Sequence, residues 1–376
     1  MNDVNRRDFL RQSGALLGAA VLAPAPAGAA GAPAQWPPYS KALVIDACGA
    51  PSQTDTGTPL DAATLAAIRD SGVAAINFTL GNVGRYQGAF DEAIRSIAFW
   101  DGEIAAHREV LAKVTRGADI AALHATGRLG VIYGFQDTTM YGENLDRFDT
   151  FHALGVRIVQ LTYNRRNLMG DGCMESGNAG LSRLGHEMIE RMDALGTLLD
   201  LSHCGQRTTR EGIEASKHPV AITHAGCAAV HDTPRNKRDE ELRLLADRGG
   251  VAGIYFMPYL RASGQVTADD VIRHVEHALE VCGEDHVGIG SDGAIPAVDV
   301  TPEFKQRFAA EVEQRRKNGI AAVGENSDSY TFAPDLNSPR RLDTLAAMLH
   351  ARGHGDARIE KILGGNFARL FREVIV

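Results

Sequence analysis

Eight short apolar or β-branched runs alternate with longer stretches of helical period, and this alternation predicts an α/β fold, a (β/α)8 TIM-like barrel with extra C-terminal helices. Two further observations agree. No inter-domain linker and no repeat longer than the βα unit breaks the chain, and polar residues follow the ends of most candidate strands, where such a barrel carries its functional groups. The 376 residues exceed the usual size of one domain, but an eight-unit barrel commonly fills about 250 residues or more as a single unit.

The candidate strands are residues 42–47, 73–79, 129–135, 156–162, 197–202, 220–223, 251–256 and 286–291. Helical period marks 101–127, 181–195, 207–216, 239–248 and 268–282 between them. Residues 301–335 are less regular and carry Asn326, Asp328 and Pro334, the pattern of a lid or helical excursion over the barrel mouth. Two last helices, 339–352 and 356–372, close the domain.

The first 34 residues read differently. Paired Arg6 and Arg7 precede a mildly apolar stretch from Gly14 to Ala23, and Ala32-Pro33-Ala34 suits a cleavage site. This resembles a twin-arginine export signal, so the expected organisation is a signal over 1–34, a single barrel over 35–376, and a periplasmic or secreted protein. No other apolar run reaches the roughly 18 residues of a membrane span. With 44% hydrophobic residues a large core is achievable, and a net charge of −8 argues against nucleic acid or an anionic membrane as main partner. Five scattered cysteines without a CxxC pair leave at least one thiol without an internal disulfide partner.

Reading past each strand end gives Cys48, Asn82, Gln136, Tyr163 with Asn164, His203, His224 and Asp292, with Tyr255 near the end of strand seven. A single histidine is more often packed or exposed than functional. Two histidines and an aspartate ending strands five, six and eight converge on one mouth, and imidazoles with a carboxylate suit zinc or a similar divalent ion. Cys48 is either a further ligand or a small buried hydrophobe. The loop after strand four, with Arg165, Arg166 and Asn167, either binds an acidic group or caps the rim through ion pairs.

At these residues a family resemblance becomes specific. Asp200-Leu201-Ser202-His203, Pro219 to His224, Arg235-Asn236, Val287 to Asp292 and the closing Lys361 to Phe367 resemble, in order, the motifs of the membrane dipeptidases, metal-dependent hydrolases of the amidohydrolase type. The resemblance runs from about Leu43 to Phe371. It implies a metal-dependent hydrolase of dipeptides or similar small amides. His203 and His224 would bind the metal, Arg235 would hold the substrate carboxylate or the transition state, and Asp292 would serve in catalysis. It alone implies a homodimer.

The departures are as informative. Where the family has His-x-Asp after the first strand, the aligned segment here is Asp46-Ala47-Cys48-Gly49-Ala50, without either ligand; its bridging glutamate is replaced by Gln136, and its substrate-contacting histidine by Tyr163. Two close divalent cations need anionic ligands between them, and a carboxamide is neutral. The expectation is therefore one Zn2+ per chain on His203 and His224, with Gln136 or Cys48 as further candidates and Tyr163, Asn164 and Arg235 toward substrate. Two other readings stay open: a barrel redirected to a non-hydrolytic tailoring step on a secreted small molecule, and an inactive binding protein.

Overall fold

The computed structural model describes residues 35–53 and 57–376. The segment read as an export signal lies outside the described residues. Eight parallel strands follow one another around the barrel: β1 (Ile45–Asp46), β2 (Ala75–Thr79), β3 (Leu129–Phe135), β4 (Val156–Gln160), β5 (Leu198–Asp200), β6 (Ala221–Ala225), β7 (Val251–Ile254) and β8 (Val287–Ile289). Each pairs with the next, from Ile45 opposite Ala75 to Ile289 opposite Ile254. The seam between β8 and β1 is closed by a bond from the Ala47 N–H to the Ile289 carbonyl at 2.9 Å. Just above it, the short strands Gly49–Ala50 and Gly293–Ala294 pair in parallel. The predicted (β/α)8 class is the observed one.

Several helices start and stop where caps dictate. Ser182 accepts from the Gly185 N–H to begin Arg183–Leu195, and Gly196 ends it in the left-handed conformation. Ala268–Cys282 matches its expected span and opens on a capping box of Thr267 and Asp270. The stretch 101–127 is not one helix. Ala89–Ala106 ends near its start, Leu111–Lys113 pairs with β3, and Asp119–His124 forms a separate turn. Val110 and Leu111 are buried, so ladder bonds and burial override helical period there.

The C-terminal helix Asn366–Val374 brings Phe367, Leu370 and Phe371 into one cluster with Ile45, Ala75, Ile132, Ile158 and Leu198 from the strands. A Cβ on Gly288 would meet the Phe367 ring at 2.5 Å, so β8 needs glycine there. Over the mouth, Pro302–Lys317 is a regular helix capped by Thr301, and residues 318–333 return as an irregular segment. Among the described residues no helix is long and apolar enough to cross a membrane.

Candidate metal centre

The functional side chains stand on the ends of β1, β3, β4, β5, β6 and β8, and the local backbone explains their aim. The β6–β7 register shifts between Ile222 and Ala225, around His224; such an irregularity re-aims a side chain. The room comes from neighbouring glycines, since a Cβ on Gly253 or Gly290 would lie 2.0 Å from the Thr223 carbonyl oxygen. Asp292 follows β8 with φ 58, a left-handed conformation rare outside glycine. A bond from its N–H to the Cys48 carbonyl at 2.7 Å holds it there, locking the ends of β1 and β8 together. The buried Asp46 reinforces this seam, accepting from the Ser291 N–H at 2.8 Å and hydroxyl at 2.5 Å.

His203 and His224 are buried, with their Nε2 atoms 3.0 Å apart. Their outer nitrogens identify the tautomers. His203 Nδ1 lies 2.6 Å from Asn164 Oδ1, whose amide nitrogen donates to the Ile320 carbonyl, so Oδ1 accepts and Nδ1 carries the proton. His224 Nδ1 lies 2.9 Å from the Thr223 hydroxyl, which donates its proton to Asp200 at 2.6 Å, so this Nδ1 is a donor too. Burial, then the nearby Arg235, holds both imidazoles well below the ordinary histidine range, hence neutral. Two Nε2 lone pairs therefore face each other without a proton to share. A cation accepting both lone pairs would resolve the conflict, and the partners behind each ring are of the kind that orient a metal-binding histidine.

Around this pair the donor atoms continue. The ligand atoms of Cys48, His224 and Asp292 all lie within 4.8 Å of one another. Cys48 is buried, its thiol pushed up by burial and next by the Asp292 charge. The thiol faces Asp292 Oδ1 at 3.7 Å and accepts from the Gln136 amide at 3.0 Å. Burial raises the Asp292 carboxyl to about 6, against the opposing pull of Arg235. Gln136 presents an N–H rather than its oxygen to the sulfur. The acid next to Gln136, Asp137, is occupied by the Gly84 and Thr138 N–H groups and the Asn167 amide.

Arg235 is buried and donates to the carbonyls of Ser202 and His224, pinning the backbones that carry both histidines, while its guanidinium lies 5.3 Å from the Tyr255 ring centre. Tyr163 stacks on His203 with ring centres 4.2 Å apart. Its hydroxyl accepts from Arg315 at 3.2 Å. Asn164 stands behind His203 and anchors the lid at Ile320 rather than lining open space. Of the basic loop residues, Arg166 pairs with Asp171 at 2.7 Å and belongs to the rim.

The reading from sequence missed Arg315, on the lid helix about 150 residues from Tyr163 in the chain. Glu325 holds it at 2.5 Å and also accepts from the Tyr259 hydroxyl, so lid and mouth are latched together. Its only signal was the run Arg315-Arg316-Lys317, which reads as ordinary basic residues at a helix C-terminus.

The residue order and the barrel geometry agree with known proteins. The model of the membrane dipeptidase family, peptidase family M19, matches residues 50–304, over half of the chain. The chain belongs to this family. Dipeptidase verJ of Clonostachys rogersoniana is 33% identical over 177 residues, 46% of this chain and 46% of that protein. Dipeptidase tcpJ of Claviceps purpurea is 28% identical over 260 residues, 68% and 53% of the two. The chain thus spans about half the length of these curated relatives. Among solved structures, an amidohydrolase from Pseudomonas aeruginosa superposes with a TM-score of 0.76 at 29% identity, covering 89% of this chain and 97% of that one. A metallo peptidase from Rhodobacter sphaeroides, liganded with a phosphinate mimic of the dipeptide L-Ala-D-Ala, superposes at 0.72 with 20% identity and shows the fold. The matched range 50–304 contains Gln136, Tyr163, His203, His224, Arg235 and Asp292, and Cys48 lies just before it.

Proposed function

We propose that the protein is a metal-dependent hydrolase of dipeptides or similar small amides, working with one divalent ion, zinc by donor type, per chain. The observation that carries this reading is the pair of unprotonated Nε2 atoms 3.0 Å apart, with the Asp292 carboxylate within 4.8 Å of a His224 ring nitrogen. His203 and His224 would hold the ion, with Asp292 adjacent. A cation there supplies Lewis-acid polarisation of the scissile carbonyl and makes a water acidic enough to attack near neutral pH. Charge limits the count: Gln136 is neutral and Ala50 has no donor, so anionic ligands for a second cation are missing.

The protein's own groups do the rest. With its carboxyl raised to about 6, Asp292 is ionised near pH 7 yet basic enough to take the proton of the attacking water and pass it to the leaving amine. Arg235 brings a buried positive charge beside Asp292 and the histidines, where it stabilises the developing oxyanion or the substrate carboxylate. The Tyr163 ring covers one face of His203 and excludes water from it. A cavity of about 410 Å³ reaches Asp292 from the lid side; Phe256, Phe304, Phe308 and Phe332 form its apolar part, which would take an apolar substrate side chain, and Arg307, Glu311 and Arg341 form its polar part.

The experiment is metal analysis together with a dipeptide hydrolysis panel on the wild type, His203→Ala and His224→Ala. About one ion per chain, lost in both variants along with hydrolysis, is the expected result. Metal binding without turnover on any dipeptide would favour the redirected barrel. Absence of both would favour the binding protein. Export of the folded chain rests on the Arg6-Arg7 motif, and we propose it on that ground; Arg6→Lys with Arg7→Lys should block export.

A further inference from the structure

The geometry points to Cys48 as a thiolate ligand of the single cation, with Gln136 as the residue that positions and supports the sulfur. This rests on the one-cation reading above.

Three observations carry it. The first is the surroundings of the sulfur. A cysteine that merely fills space packs against apolar atoms, whereas Cys48 Sγ faces the Gln136 amide at 3.0 Å and the Asp292 carboxylate at 3.7 Å. The second is convergence. Donor atoms on one ion, with bonds of about 2.0–2.3 Å, lie within roughly 4 Å of each other. The sulfur lies within 4.8 Å of a His224 ring nitrogen, slightly wider than that span, and His203 Nε2 is 3.0 Å from His224 Nε2, so a small inward shift of the sulfur brings it onto an ion held by the histidines.

The third is charge. A thiolate at Cys48 would bring a negative charge directly to the ion, beside the Asp292 carboxylate and against the nearby Arg235, with the buried Asp46 and Asp200 already acting on the sulfur. A glutamate at position 136 would add a further negative charge, and an acceptor-only group would face an anionic sulfur. Glutamine removes the excess charge and supplies an N–H donor to the sulfur, as the 3.0 Å contact shows. The two departures from the family pattern, at Cys48 and at Gln136, thus have one explanation. On binding, the thiol proton leaves to solvent and the metal–sulfur bond takes its place, with no change of oxidation state.

Cobalt(II) substitution tests this in the full chain. Wild type titrated with cobalt should saturate at about one ion per chain and develop the near-ultraviolet thiolate-to-cobalt band. Cys48→Ser should abolish the band and weaken binding at least about ten-fold, whereas Cys173→Ser, the control for the other thiol nearby, should keep it. Cys48→His, which restores an imidazole donor, should bind cobalt without the band and so guards against a variant that fails only by misfolding. Gln136→Leu should keep the band and weaken binding. Stoichiometric cobalt without the band in wild type, or a band that survives Cys48→Ser, overturns the assignment while leaving the one-cation reading intact. A wild type that binds no cobalt overturns both.

Discussion

Replacing Asn164 by leucine removes the acceptor that fixes His203 while leaving every candidate ligand in place. Asn164 Oδ1 lies 2.6 Å from His203 Nδ1, and its amide nitrogen donates to the Ile320 carbonyl at 2.8 Å. Without Oδ1, the imidazole is free to place its proton on Nε2, the nitrogen needed as donor to the metal, and its ring orientation is no longer set. Losing an outer partner of a metal-bound histidine costs about 10–100-fold in affinity, which is about 1.4–2.8 kcal/mol at 1.4 kcal/mol per decade. The fold should tolerate the change, because Ile320 lies in a partly exposed segment where water can replace the lost donor. The assay is competition for zinc against a chelator of known affinity, paired with thermal melting of the metal-free protein. Asn164→Asp keeps an acceptor for Nδ1 but loses the bond to Ile320, so it should recover most of the affinity. Wild-type affinity in Asn164→Leu would refute the tautomer assignment. Equal loss in both variants would show that the tie to Ile320, and not the ring acceptor, governs binding.

Three other outcomes follow from the geometry. Asp292→Asn should lower kcat/KM for a dipeptide about 10²–10⁴-fold as its proton-transfer role is lost, and unchanged turnover would remove Asp292 from the mechanism. Phe332→Ala should cut kcat/KM for a dipeptide with a large apolar side chain about ten-fold relative to Gly-Gly; an unchanged ratio would mean that the cavity beside Asp292 does not receive that side chain. His274 accepts from the Cys227 N–H and, through its other nitrogen, meets the Leu260 carbonyl, and burial holds it at about 4. Above pH 6.5 it is neutral both folded and unfolded, so its contribution is fully present; as pH falls from 6.5 through 4 the unfolded chain takes up the proton first and roughly 3 kcal/mol is lost. Denaturant melts from pH 7.5 to 4 should show that loss, smaller in His274→Gln, and an identical pH profile in the variant would rule this histidine out as the source.

Which residues meet at the mouth was legible because a polar residue just past an apolar strand stands out, and a barrel delivers every strand end to the same place. Cys48, Gln136, His203, His224 and Asp292 come together for that reason. What those residues do was less legible, because it depends on partners distant in the chain. Asn164 reads as a substrate contact after strand four, yet its amide is used on His203 and on the lid. Thr223 and Asp200 lie within the quoted motifs but show no role until the proton chain to His224 Nδ1 is traced. The left-handed Asp292 has no local signature, since its conformation is held by the Cys48 carbonyl 244 residues away. The split of 101–127 has the same origin: helical period is local, whereas the pairing of Leu111–Lys113 with β3 is not. Residue type at a strand end therefore identifies the chemistry available at the mouth. Proton placement, and with it the difference between a ligand, a base and a support, is decided by contacts that only the closed barrel makes.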